Sequence, residues 1–271
     1  MPELPEVETT ARGIAPHVSG RTVLRLTVHE PRLRWRVDPK LAAWAQGQVI
    51  HGVQRRAKYL LLELDRGHLM VHLGMSGNLR VLPVRTAREA HDHFDLEMDS
   101  GWMLRFTDPR RFGSLHHLTA DPAQHPLLRK LAPEPLDPAF DADYLHQVLR
   151  RRSVAVKLAI MNSQLVVGVG NIYASESLFR AGIRPGRAAR SLTRAETAAL
   201  AASIKAVLGD AIRAGGTTLR DFVGADGAPG YFSQKLFVYG RAGAPCRNCG
   251  TPVKQRVQGG RATYWCPACQ K

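Results

Sequence analysis

The feature that most constrains the fold lies near the C-terminus: Cys246-x2-Cys249-x16-Cys266-x2-Cys269. These are the only cysteines in the chain. Two close pairs at this separation suit a tetrahedral four-thiolate site, each pair forming one knuckle. Val253–Val257 and Arg261–Trp265 flank Gln258-Gly259-Gly260, so a β-hairpin is expected to join the knuckles. Four thiolates leave no open coordination position, which makes the expected cofactor one structural zinc ion. Redox or incidental cysteines are the alternative reading of the same spacing. From Gly227 onward there are seven Lys/Arg and no Asp or Glu. A hairpin with that bias presents Arg261 near its tip to phosphate, or else simply a charged solubilising surface.

The same bias runs through the whole chain. Over 271 residues Lys and Arg exceed Asp and Glu by 15, and the pI is about 10.3. Such an excess favours a polyanionic partner, with nucleic acid ahead of a membrane surface. No stretch approaches the roughly 18 apolar residues of a membrane span, and no basic-then-apolar leader opens the sequence. A cytoplasmic protein is therefore expected, and a reducing compartment agrees with metal-bound rather than disulfide-bonded cysteines.

Val7, Ala11, Ile14 and Val18 recur at helical spacing and predict an N-terminal helix that stops near Gly20. Strand-like runs follow at 22–28, 49–55, 59–64, 69–73, 79–82, 94–98, 103–107 and 112–118, with a short helix after Asp38-Pro39. Short strands with turn signals suggest a sandwich or flattened barrel. Pro133, Pro135 and Pro138 then mark a linker at 131–140 between an N-terminal domain (1–130) and a helical one (141–230). Thr193-Arg194-Ala195-Glu196 fits a capping box ahead of a long helix. Residues 217–230, with their glycines, read as a functional loop or a linker to a finger at 231–271.

Three further stretches carry chemistry. Loss of Met1 leaves Pro2 with a secondary α-amine beside Glu3. An α-amine titrates near about 7.7–8.0, so at neutral pH it is far more nucleophilic than a lysine. Proline also opens many helices at the first turn, which is the simpler reading of these residues alone. Gly168-Val169-Gly170-Asn171 begins a helix whose free N–H groups suit an anion, with Asn171 as cap or phosphate ligand. His72-Leu73-Gly74-Met75 and Asp108-Pro109-Arg110-Arg111-Phe112 offer apolar wedges and an arginine, the residue types that unstack a duplex. In isolation, Met75 and Phe112 are also ordinary core residues.

Taken together, Pro2-Glu3-Leu4-Pro5-Glu6, Arg56-Ala57-Lys58-Tyr59, His72-Leu73-Gly74-Met75-Ser76-Gly77, Asp108-Pro109-Arg110-Arg111-Phe112-Gly113, Gly168-Val169-Gly170-Asn171-Ile172-Tyr173-Ala174 and the finger with Gly260-Arg261 resemble bacterial formamidopyrimidine-DNA glycosylase, in the same order from end to end. The resemblance implies an α+β multidomain fold: an N-terminal β-sandwich with flanking helices, then a helix–two-turn–helix domain and a four-cysteine zinc finger. It implies a monomer that binds damaged double-stranded DNA in a basic cleft, near the nucleoid. The implied activity is excision of 8-oxoguanine and formamidopyrimidines, then β,δ-elimination.

The resemblance also implies residue roles. Pro2 is the nucleophile at C1′ and Glu3 the proton donor at the sugar ring oxygen. Lys58 serves phosphate contact and β-elimination; Arg261 grips phosphate and is linked to δ-elimination. Met75, Arg110 and Phe112 fill the void left by the extruded base, with Arg110 facing the orphaned cytosine. His72, Asn171, His91, Arg152 and Lys157 contact DNA. Cys246, Cys249, Cys266 and Cys269 hold zinc, and residues 217–231 form a lid. An endonuclease VIII-like glycosylase for oxidised pyrimidines shares the fold and the Pro-Glu start. A non-catalytic zinc-finger DNA-binding protein is the alternative from another class.

Overall fold

The alternating stretch between residues 20 and 118 folds into eight antiparallel strands in a computed structural model that describes residues 2–216 and 236–271. The strands are β1 (Arg21–Val28), β2 (Val49–Arg56), β3 (Tyr59–Leu64), β4 (Gly67–His72), β5 (Asn78–Pro83), β6 (Asp92–Met98), β7 (Trp102–Thr107) and β8 (Ser114–Leu118). Their order is β5-β7-β6-β1-β2-β3-β4-β8. β1 is shared: Arg21 and Thr22 pair with β2, and Val23 to Val28 pair with β6. A register shift between Val23 and Arg25 marks the changeover. Such an irregularity bends a strand and lets it serve two sheet halves. Alternate residues of both halves face one core: Leu60, Leu62 and Leu64 of β3 with Phe94, Leu96 and Met98 of β6 and Leu104 and Phe106 of β7. Helix α1 (Leu4–Val18) adds Val7, Ala11, Ile14 and Val18 to the same cluster. The expected sandwich with a flanking helix is thus present. The short helix α2 (Leu41–Ala45) is N-capped by Lys40, while Asp38 accepts the Lys40 amide at 2.9 Å.

On the other face of β6 and β7, buried Arg105 makes two hydrogen bonds to Asp95 (2.7 and 2.9 Å) and one to the Ala87 carbonyl (2.7 Å). Burial pushes the Asp95 carboxyl up, but hydrogen bonds from Arg105 and His29 outweigh it and leave it lowered. This cluster holds the connection between β5 and β6, on which His91 lies, against the sheet.

The chain divides into two compact units. Among the described residues the first holds 2–129 and 214–216, and the second 130–213 and 236–271. The second contains α3 (Ala142–Leu149), α4 (Val156–Ile160), α5 (Asn171–Arg180), α6 (Arg194–Arg213), β9 (Lys254–Gln258) and β10 (Arg261–Trp265). The Thr193 box forms as read: its amide donates to Glu196 Oε2 (2.8 Å), and the Glu196 amide donates to Thr193 Oγ1 (3.2 Å). The proline-rich stretch 131–140 is part of this unit, and Phe140 is buried beside Tyr144. The finger packs on α5 through Phe179, Val238, Cys246, Val253 and Cys266. Glu176 of α5 accepts the amides of Phe237, Val238 and Tyr239 at 2.8, 3.0 and 2.8 Å. Gln270 joins the finger to the end of α5, accepting from the Cys266 amide and donating to the Ile183 carbonyl. Met1 and the lid at 217–231 lie outside the described residues.

Leu96 is buried between the sheet halves, whereas Leu24 at the β1 irregularity is 52% exposed. Leu96→Ala is expected to cost about 2–5 kcal/mol and Leu24→Ala less than about 0.5 kcal/mol. Midpoints of urea unfolding check the contrast.

Candidate nucleic-acid interface and metal centre

The lead into α1 is buried: Pro2 is enclosed and Glu3 is 1% exposed. Glu3 is the N-cap, and it exchanges bonds with Glu6 in a reciprocal capping box; the Glu3 amide donates to Glu6 Oε2 at 2.8 Å. The box fixes the backbone of Glu3, to which Pro2 is joined. The proline of the first turn is Pro5, and Pro2 lies one residue ahead of the N-cap, which corrects the reading of Pro2 as the helix-opening residue.

Lys58 sits at the tip of the β2–β3 hairpin, a two-residue turn with Ala57 at φ 53°. Arg55 steadies that tip. Its guanidinium donates to the Ala57 carbonyl (2.9 Å) and to Glu8 of α1 (2.8 Å). The hairpin carrying Lys58 is thereby tied to the helix carrying Pro2 and Glu3. No local signal marks Arg55, because Glu8 is 47 residues away.

His72 ends β4 and packs tilted against Tyr59, ring centroids 4.8 Å apart. Its Nδ1 accepts the Gly74 amide at 3.0 Å. Burial, with Lys58 and Arg34 nearby, pushes its pKa down to about 4. The ring is therefore neutral at physiological pH, with its proton on Nε2 as a hydrogen-bond donor. Arg34 is a neighbour that sequence reasoning missed. Met75 (37% exposed) and Phe112 (41% exposed) project from adjacent turns, and the Arg110 guanidinium lies 4.7 Å over the Phe112 ring. Both are exposed, so the reading of these two side chains as ordinary core residues does not hold. His91 is exposed with φ 71°.

On the second unit Lys157, Asn171 and the finger hairpin come together. Lys157 is wholly buried, and its ammonium donates to Asn171 Oδ1 (2.5 Å), Thr263 Oγ1 (2.7 Å) and the Ala262 carbonyl (3.0 Å). Asn171 Nδ2 also donates to Ala262 (3.0 Å). The cap reading of Asn171 needs correction: Gly170 is the N-cap of α5 and Asn171 is the first helical residue. Arg261 opens β10 after a two-residue Gly259-Gly260 turn with both φ positive, 56° and 71°. Glycine suits both positions of such a turn. Arg152 is exposed in the turn after α3.

The four cysteine sulfurs lie within 4.8 Å of one another, with the Cys246–Cys269 and Cys249–Cys266 pairs at 3.9 and 3.5 Å. Four thiolates at about 2.3 Å from a tetrahedral zinc stand about 3.8 Å apart. The residues fit the ion expected from their spacing.

Comparison with known proteins agrees with this arrangement. Residues 1–115 match the formamidopyrimidine-DNA glycosylase N-terminal domain, 131–223 its H2TH domain, and 243–271 the zinc finger found in FPG and IleRS. The formamidopyrimidine-DNA glycosylase of Thioalkalivibrio sulfidiphilus is 60% identical over 271 residues, 100% of each chain. The chain belongs to the formamidopyrimidine-DNA glycosylase family. Among solved structures, the MutM (Fpg) protein of Thermus thermophilus superposes with a TM-score of 0.90 at 41% identity, covering 99% of this chain and 98% of that one. A Lactococcus lactis FPG mutant in complex with Fapy-dG-containing DNA gives 0.93 at 32% identity over 100% of both. Formamidopyrimidine-DNA glycosylase relatives thus match every part of the chain on which the candidate residues fall. No described helix is long and apolar enough to cross a membrane.

The titratable and metal-binding groups each give an expected outcome. His72 and His116 are both pushed down to about 4, chiefly by burial. An unfolded histidine titrates near about 6.5, so between these values the unfolded chain binds more protons. Stability should therefore fall as the pH drops from about 6.5 to about 4, and His72→Gln should flatten that slope in thermal melts. Native mass spectrometry should find one zinc per chain, lost in Cys266→Ser.

Proposed function

We propose that this glycosylase-family chain removes oxidised purines, 8-oxoguanine and formamidopyrimidines, from duplex DNA and then cleaves the strand at the same site. The observation that carries the reading is the buried lead into α1, where Pro2 is enclosed beside Glu3 and Glu3 is held by the Glu3–Glu6 box. Once Met1 is removed, the Pro2 nitrogen attacks C1′ as the bond to the base breaks; the base leaves with the electron pair, and the N–H proton shed by the ammonium so formed on Pro2 neutralises it. Glu3 protonates the sugar ring oxygen as C1′–O4′ opens. A secondary amine gives an iminium with no N–H to lose, so the charge stays on nitrogen as an electron sink. The C2′ proton is then acidic enough to leave with rupture of the C3′–O bond; loss of the C4′ proton breaks the C5′–O bond in turn, and water hydrolyses the iminium to free Pro2. A one-nucleotide gap with phosphate on both sides results.

The other roles follow from position and charge. Lys58, on the hairpin fixed to α1, serves phosphate binding and β-elimination. Neutral His72 donates Nε2–H to a phosphate oxygen, and His91, Arg152 and Asn171 add phosphate contacts. Arg261 grips phosphate and assists δ-elimination. Buried Lys157 acts on DNA through Ala262 and Thr263, which it holds next to Arg261. Met75 and Phe112 enter the stack from which the base has left, because C1′ is unreachable inside the helix, and Arg110 meets the orphaned cytosine. The zinc, when bound, fixes the two knuckles and takes no part in the chemistry. We assign 1–130 as the catalytic domain, 131–140 as linker, 141–230 as the helix–two-turn–helix domain with a lid at 217–231, and 231–271 as the finger. A monomer working on chromosomal DNA belongs in the nucleoid.

Borohydride reduction during reaction with an 8-oxoguanine:cytosine duplex should trap a covalent adduct. Pro2→Gly or retention of Met1 should abolish it. A matched thymine glycol duplex should trap less; the reverse order would favour the oxidised-pyrimidine reading. Tight damage-specific binding with no adduct on either duplex would sink the enzyme reading and leave a binding protein.

A further inference from the structure

The side chains that enter DNA stand on two turns separated by more than thirty residues, and one buried carboxylate joins them. Asp108 is 0% exposed and Ser76 is 6% exposed. Ser76 Oγ donates to Asp108 Oδ1 at 2.6 Å, although the two are 32 residues apart. The same carboxylate accepts the Arg110 amide on Oδ1 (3.3 Å) and the Gly113 amide on Oδ2 (2.8 Å). The Asp108 carbonyl accepts the Arg111 amide (3.1 Å) and His93 Nε2 (2.6 Å). Beside this knot the turns touch backbone to backbone: a Cβ on Gly74 would lie 2.5 Å from the Phe112 carbonyl carbon and the Gly113 nitrogen. Met75 is therefore clasped on one side by Gly74 against the Phe112 backbone, and on the other by Ser76 against Asp108.

We propose that Asp108 and Ser76 are positioning residues that lock the Met75 turn and the Arg110–Phe112 turn into one preset block, so that the wedge enters the duplex as a unit. The inference rests on the reading above that these three side chains fill the space left by the extruded base. Asp108 and Ser76 are both buried, and their polar side-chain atoms bond within the protein. Their contribution is that the block does not yield when unstacking pushes back on it. A turn free to swing would spend insertion on its own displacement, because parting a base step costs a few kcal/mol.

The test follows insertion directly, by stopped-flow fluorescence of 2-aminopurine beside an 8-oxoguanine in duplex DNA, with the full chain. Ser76→Ala should slow the insertion phase about tenfold, the usual consequence of losing one hydrogen bond to a charged group. Excision from the duplex should fall with it. Cleavage of a preformed abasic site in single-stranded DNA, which needs no wedge, should keep its wild-type rate. Asp108→Asn should cost more, and the double variant should be no slower than Asp108→Asn alone. Insertion at the wild-type rate in S76A overturns the inference. So do losses that multiply in the double variant, or an equal loss on the single strand. Absence of excision and trapping in the wild type overturns instead the activity on which the inference rests.

Discussion

A charge taken out of water must find partners within hydrogen-bond reach, and both units are built on charges treated this way. Lys157 has three acceptors and no exposed surface; Glu176 has three backbone amides; Asp108 has a hydroxyl and two amides. The partners are neutral, so each charge is compensated by hydrogen bonds and not by an opposite charge. Removing one such partner is costly, since a buried group is left with a bond unmade. Each such group accordingly tolerates one arrangement of its neighbours. That property matters for a protein whose candidate groups stand on loops and helix starts rather than in the middle of strands.

The finger is the clearest case. A two-stranded hairpin is marginal by itself in water. The hairpin of β9 and β10 gains its order from the cysteine cluster at one end and from Lys157 at the other, where Ala262 and Thr263 are held next to Arg261. Glu176 and Gln270 fasten the knuckles to α5. Arg261 is thus positioned from both ends of its strand, which a long and flexible side chain requires if it is to meet one phosphate rather than many.

Features that depend on neighbours in sequence were legible before the structure. The strands lie within a few residues of their expected bounds, because alternation is a local property. The Thr193–Glu196 box is a four-residue pattern and forms as read. The cysteine spacing alone predicts the metal cluster. What escaped was long-range. Asn171 looks like a cap from its glycine neighbours, yet its amide is drawn to Ala262 by the fold of a distant hairpin. Ser76 stands in a motif without a role of its own in sequence, because its partner Asp108 is 32 residues away. The lowered pKa of His72 comes from burial and from Lys58 and Arg34, none of which its own strand reveals. The shared use of β1 by two sheet halves likewise depends on a register shift that leaves no sequence mark.

Backbone strain ties these observations together. Among the described residues, those other than glycine with positive φ are Ala57, His91 and Arg111. A left-handed conformation costs such a residue on the order of 1–3 kcal/mol and persists only where the surroundings dictate it. Here the surroundings are named: Arg55 holds the Ala57 carbonyl, the Asp108 amide donates to the His91 carbonyl, and Asp108 accepts the Arg111 amide. Each strained residue is also next to, or is itself, a proposed contact: Ala57 precedes Lys58, His91 is one, and Arg111 separates Arg110 from Phe112. Relaxing any of the three to an extended backbone would redirect its neighbour's side chain. Strain of this kind is therefore the local cost of aiming these side chains, and the hydrogen bonds to their backbone groups are what keep the aim from relaxing.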